Sequence, residues 1–223
     1  MLIFCLLIVH SNNTPYRTIR VMPLGGSITY GVGSSDKNGY RQYLQDMLTA
    51  NGHHVTMVGS RSSGSMRNNN HEGWRGFRID QIESKARNSV PKLMPDLVMI
   101  NAGSNDCIQN FDIEHIGKRM DNMLEFVWSA SPDSTIILST LILNLDTEVE
   151  SRIKWVNNQF QDIILQKQSE GKRIAFVDMH SQGGPKNNDI LSDGTHPNDQ
   201  GYYKMARIWY GGVLDVMSKG FLP

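Results

Sequence analysis

The alternation of short apolar runs with longer helical patterns most restricts what this chain can become. Residues 18–24 (Thr-Ile-Arg-Val-Met-Pro-Leu), 55–58, 96–101, 135–139 and 173–178 are rich in Ile, Val, Leu and Met, and each stops at a glycine or a polar residue. Between them, apolar residues recur at helical spacing. Tyr40, Tyr43, Leu44, Met47 and Leu48 mark a helix over 40–50, and Ile116, Met120, Met123, Leu124, Val127 and Trp128 mark one over 113–129. Further helices are expected over 77–93, 149–168 and 199–217. Strands that read as continuous apolar runs are buried on both faces, which requires a parallel sheet with helices above and below. Right-handed crossovers then give an α/β fold, a flavodoxin-like three-layer α/β/α sandwich around a five-stranded parallel sheet. In such a sheet ligands bind beyond the carboxyl ends of the strands.

Size and charge narrow the function. The 223 residues suffice for one sizeable core, and no repeat or long linker divides them, so 14–223 is expected to form a single domain. Lys+Arg and Asp+Glu both number 22, so there is no basic field to hold a polyanion and nucleic acid is not an expected partner. A neutral polymer or small ester suits that balance, and a monomer is expected. His53-His54 and His71-Glu72 are adjacent pairs that aim poorly at one metal, so neither metal nor cofactor is expected. Leu2–Val9 has the length of a signal-peptide apolar core and is too short to span a bilayer, although a buried strand is the other reading. Residues 1–13 are accordingly expected to be a signal peptide or an N-terminal extension. With the Asn12-Asn13-Thr14 sequon, this points to a secreted protein.

Four motifs follow strands at the expected ligand edge. Gly25-Gly26-Ser27-Ile28-Thr29 ends the first run; its serine reads either as a nucleophile or as a helix cap. Asn101-Ala102-Gly103-Ser104-Asn105-Asp106 ends the third, and Asn105 reads either as a neutral oxyanion donor or as an Asx-turn residue. His71-Glu72-Gly73-Trp74 precedes a helix; Gly73 can expose its backbone N–H to a ligand or simply turn a loop. Asp193-Gly194-Thr195-His196 sets an acid and a base three residues apart, with Pro197 barring His196 from helical geometry.

In chain order these motifs resemble the blocks of the SGNH (GDSL-like) hydrolases: Gly25-Gly26-Ser27-Ile28-Thr29 the first, Gly73 the second, Gly103-Ser104-Asn105-Asp106 the third and Asp193-Gly194-Thr195-His196 the last. Met22-Pro23-Leu24, Ser27-Ile28-Thr29-Tyr30-Gly31, His71-Glu72-Gly73-Trp74 and Asp193–Asn198 are similar to carbohydrate esterase family 3 in particular. The resemblance implies a serine esterase that deacetylates xylan-like carbohydrate. Ser27 would be its nucleophile, His196 its base and Asp193 the orienting acid. The N–H groups of Ser27 and Gly73 and the amide of Asn105 would form the oxyanion hole, and Trp74 would stack on sugar or pack internally. One departure stands out: Gly26 occupies the position where the family usually has Asp. The alternatives are a lysophospholipase or thioesterase of the same superfamily, a non-catalytic carbohydrate-binding relative, and a flavodoxin-like nucleotide-binding module.

Overall fold

The apolar runs become the central strands of one sheet, and their period-two alternation divides the core into two halves. The computed structural model describes residues 18–222, so Cys5, the apolar stretch and the sequon expected near the N-terminus lie outside the described residues. On β1 (Ile19–Gly25), Met22 and Leu24 enter one core half while Ile19 and Val21 enter the other. On β5 (Leu97–Asn101), Val98 and Ile100 oppose Leu97 and Met99 in the same way. One face is covered by α3 (Ile79–Leu93), α5 (Ile116–Ala130) and α6 (Thr147–Ser169). The other is covered by α2 (Tyr40–Ala50) and α7 (Asp199–Ser218), where Tyr40, Tyr202 and Trp209 are fully buried. This is the flavodoxin-like three-layer sandwich, with β1–β5, β5–β6 (Thr135–Ser139) and β6–β7 (Ile174–Val177) paired in parallel.

The strand count departs from five. One flank of β1 is shared by two segments: β2 (Val55–Met57) pairs its beginning at Ile19–Val21, and β4 (Asn70–Gly73) pairs its end at Leu24–Gly25. A two-residue strand, β3 (Arg61–Ser62), adds antiparallel to β4, giving seven strands in all. The sequence of β4, Asn-His-Glu-Gly, carries no β-branched or apolar signal. It is held by its polar side chains instead. Fully buried His71 contacts Ser63 Oγ through Nε2 at 2.7 Å, and buried Glu72 accepts from the Ser60 N–H and from Trp74 Nε1. Two short helices were also not foreseen: α1 (Ser27–Tyr30) and α4 (Ser104–Gln109) start at the ends of β1 and β5. Both begin on the carboxyl edge.

Candidate active site

Ser27 is placed by a close crossing of backbones. A Cβ on Gly25 would stand 2.1 Å from the Asn101 carbonyl oxygen, so only glycine lets β1 and β5 lie this close where both end. One residue later the chain enters α1, and Ser27 is its first residue, half-buried at the mouth of a narrow pocket. The walls of that pocket include Gly26, Ile28, Phe77, Ala102, Gly103 and Asn105.

The opposing side comes from a hairpin. Ile190 and Pro197 form an antiparallel bridge, and the Leu191 N–H donates to the His196 carbonyl at 2.9 Å, closing the turn that carries Asp193 and His196. Asp193 Oδ1 accepts the backbone N–H groups of Thr195 and His196, both at 2.9 Å, and Oδ2 lies 2.7 Å from His196 Nδ1. Burial pulls the Asp193 carboxyl upward. Those two N–H groups and the His196 ring outweigh it and hold the carboxyl below the usual aspartate value. An ionised carboxylate only accepts, so Nδ1 carries the ring proton and Nε2 is free to accept. His196 Nε2 is 2.8 Å from Ser27 Oγ, across 169 residues of sequence. The structure thus brings Ser27, His196 and Asp193 into one hydrogen-bonded line.

A neighbouring loop clamps the turn from outside. The Leu145 N–H donates to the Gly194 carbonyl at 2.9 Å, and Asn144 Nδ2 donates to Thr195 Oγ1 at 3.0 Å. Asn144 is in turn held by Glu150, whose other oxygen meets His180 at 2.9 Å. Asn144 carries no motif, so its part in the site was not legible from sequence.

Asn105 lines the pocket, with one amide proton donated to the Phe77 carbonyl at 3.0 Å and the other without an acceptor among the described residues. Its neighbour Asp106 is fully buried, pairs with Arg119 and accepts the Ile79 N–H that begins α3 at 3.1 Å. Burial raises the Asp106 carboxyl against the lowering pull of Arg119. Together Asn105 and Asp106 tie the turn at 77–79 to the pocket.

Two expected residues make contacts of another kind. The Gly73 N–H donates to His71 Nδ1 at 2.9 Å, and a Cβ there would meet the Tyr30 backbone at 2.4 Å, so Gly73 serves the packing of β4 on α1. Burial first, then Arg41 and Arg61, lowers His71 to about 3, which keeps its ring neutral and able to accept that N–H. Gly76, exposed at φ +77° with open space around its α-carbon, comes three residues later and directly before Phe77 of the pocket wall. Two glycines three apart before one helix gave the sequence no means of choosing between them. Trp74 is half-buried, stacked on Phe77 at 5.6 Å, covered by Arg61 at 4.4 Å and by Lys85 at 4.9 Å, and its N–H is spent on Glu72. Those contacts favour the packing reading of that ring.

At Gly26, where the hydrolases this chain resembles usually have Asp, a Cβ would press on Asn105 Nδ2 at 3.3 Å and lie 3.9 Å from the Trp74 carbonyl. Cys107 is no rival nucleophile, being fully buried with its thiol pushed up to about 12 by that burial. Among the described residues no group of three or more His, Cys, Asp or Glu side chains is arranged to hold a metal ion, and no helix is long and apolar enough to cross a membrane.

Residues 24–204, from the end of β1 into α7, match the model of the GDSL-like lipase/acylhydrolase family. The chain belongs to that family. It is grouped thereby with carboxylic ester hydrolases. Among solved structures it is similar to the Clostridium thermocellum family 3 carbohydrate esterase, with 31% identity, 91% of this chain and 98% of that one covered, and a TM-score of 0.82. A carbohydrate esterase family 3 structure from Talaromyces cellulolyticus shares the fold at 22% identity, covering 90% and 99% of the two chains with a TM-score of 0.78. A multidomain esterase of Ruminococcus flavefaciens is 28% identical over 86% of this chain. The chain spans 28% of that relative's length.

Proposed function

We propose that this chain is a serine esterase that removes acetyl groups from acetylated, xylan-like carbohydrate through an acyl-enzyme. The observation that carries the proposal is the line Ser27 Oγ–His196 Nε2–Asp193 Oδ2, at 2.8 Å and 2.7 Å with the tautomer set by the carboxylate. His196 takes the Ser27 proton as Oγ attacks the ester carbonyl, then returns it to the departing sugar hydroxyl. A water deprotonated by the same ring cleaves the acyl-enzyme, releasing acetate and restoring Ser27. Asp193 stays ionised throughout and stabilises the imidazolium.

The oxyanion needs preorganised donors. The free amide proton of Asn105 and the backbone N–H of Ser27 supply two. We assign the third to Gly76 rather than Gly73, because the Gly73 N–H is already taken by His71. A short acyl group suits the narrow pocket walled by Ile28, Phe77 and Ala102. A carbohydrate substrate rests on the likeness to the family 3 carbohydrate esterase.

The test is hydrolysis of nitrophenyl acetate, butyrate and octanoate by the wild type and Ser27→Ala, followed by acetate release from acetylated xylan. The expected result is turnover that falls with chain length and vanishes in Ser27→Ala. Preference for octanoate would replace the deacetylase with a lipid esterase. Absence of all turnover would leave a carbohydrate-binding relative.

A further inference from the structure

Where Trp74 is covered, a second tryptophan is not. Trp155 is 46% exposed on α6, and it belongs to a surface that begins at the catalytic pocket. Asn105 and Ile108 are three residues apart on α4, so they share a helix face, and Asn105 lines the pocket. Ile108 therefore stands on the same side, 41% exposed. Leu145, also 41% exposed, adjoins the catalytic turn through its N–H bond to Gly194. From there α6 leads away as one stripe of Arg152, Trp155 and Gln159, at spacings of three and four. Arg152 Nε donates to the Cys107 carbonyl at 2.7 Å and Gln159 Nε2 to the Ile113 carbonyl at 3.0 Å, so the stripe lies along the segment that follows Ile108. Trp155 sits between these two contacts, its ring free of any stacking partner among the described residues.

We infer that the seam between α4 and α6, from Leu145 and Ile108 to Trp155, is the platform that holds the sugar rings flanking the acetylated one. The inference rests on the deacetylase reading of Ser27. Its occupant follows from the chemistry of the surface and from its continuity with the pocket. Pyranose rings present C–H faces to aromatic and aliphatic side chains and hydroxyls to groups such as Arg152, and a polymer whose acetyl enters the pocket must leave along the surface. Measured along α6 at about 1.5 Å per residue, Trp155 lies roughly 12 Å beyond Thr147, where the helix begins beside Leu145.

The experiment compares wild type, Trp155→Ala and Trp155→Tyr on acetylated xylan and on nitrophenyl acetate. Loss of one aromatic contact should raise KM for the polymer roughly three- to tenfold in Trp155→Ala, with Tyr restoring most of it. The rates on nitrophenyl acetate should not change. As a binding measurement free of turnover, xylo-oligosaccharides should quench the fluorescence of Ser27→Ala but not that of Ser27→Ala/Trp155→Phe. Equal polymer KM in all three proteins, with acetate still released, overturns the platform and leaves the deacetylase standing. Failure of the wild type to release acetate from any glycan, with nitrophenyl acetate still cleaved, overturns both. A Trp155-dependent dimer in light scattering, with polymer KM unaltered, would assign the surface to a second copy instead.

Discussion

Replacing Asp193 by Asn separates the acid's electrical role from its structural one. Asp193 Oδ1 caps two backbone N–H groups, and an amide oxygen can do the same. The other arm then carries NH2 where Oδ2 stood, 2.7 Å from His196 Nδ1. A donor there forces the ring proton onto Nε2, and Nε2 can no longer accept from Ser27 Oγ. Flipping the amide would restore the ring's partner but aim NH2 at two N–H donors, stranding both. Loss of the tautomer alone costs about 10⁴ in kcat where the acid is buried. Here the Asp193 side chain is 48% exposed, so water relieves part of the penalty. Asp193→Asn should therefore lose roughly 10³- to 10⁴-fold in kcat, or about 4–5.5 kcal/mol of transition-state stabilisation, with KM and melting temperature little changed. Asp193→Ala, which also loses the caps, should lower the melting temperature as well. Steady-state kinetics on nitrophenyl acetate with parallel thermal melts decide it. An Asn variant within tenfold of wild type, or one that melts as low as the Ala variant, would refute the tautomer argument.

Asn105→Ala removes the proposed oxyanion donor and should lower kcat by about 10²- to 10³-fold with a small change in KM; a loss confined to KM would deny it that role. At the strand end, Gly25→Ala meets the Asn101 carbonyl at 2.1 Å and should destabilise the protein by about 1–3 kcal/mol or more, whereas Gly26→Ala, with its nearest atom at 3.3 Å, should melt within a few degrees of wild type. Comparable melting losses would contradict this placing of β1 against β5. Because His71 falls from its ordinary value to about 3 on folding, the folded state binds fewer protons than the unfolded chain between pH 6.5 and pH 3. The stability that its neutral form contributes is complete above pH 6.5 and declines as the pH falls toward 3, by about 3 kcal/mol at pH 4.5. Urea unfolding at pH 7 and pH 4.5 should show that loss in the wild type and a smaller one in His71→Gln, and equal losses would refute it.

Apolar periodicity carried most of the fold. The five apolar runs all became parallel strands, and the long helices lie within about three residues of the expected bounds, because burial on both faces writes itself into sequence. What periodicity could not reveal were segments held by polar chemistry. The strand Asn70–Gly73 exists because His71 and Glu72 find buried partners from Ser60 and Ser63, which no local pattern announces. The same partners explain the site's surprises. Gly73 reads as a donor or a loop glycine and Trp74 as a sugar platform or a packing ring, and the second reading of each is favoured once His71 is seen to take the Gly73 N–H and Arg61, Lys85 and Phe77 to pack on Trp74. The Ser27, Asp193 and His196 motifs were visible because each sits at a turn whose residues are chemically distinctive. Their meeting depends on the sheet order that the strands imply.

Acid and base reach this site together, on one short hairpin pinned by the Ile190–Pro197 bridge and the Leu191–His196 hydrogen bond. Their mutual alignment is set within a few residues of one turn. A single long-range coordinate, the approach of His196 to Ser27, is left for the rest of the molecule to set. Strain, temperature or distant substitutions should consequently act on this centre as one dial, lengthening the Ser27–His196 contact while the imidazole and its carboxylate stay in register.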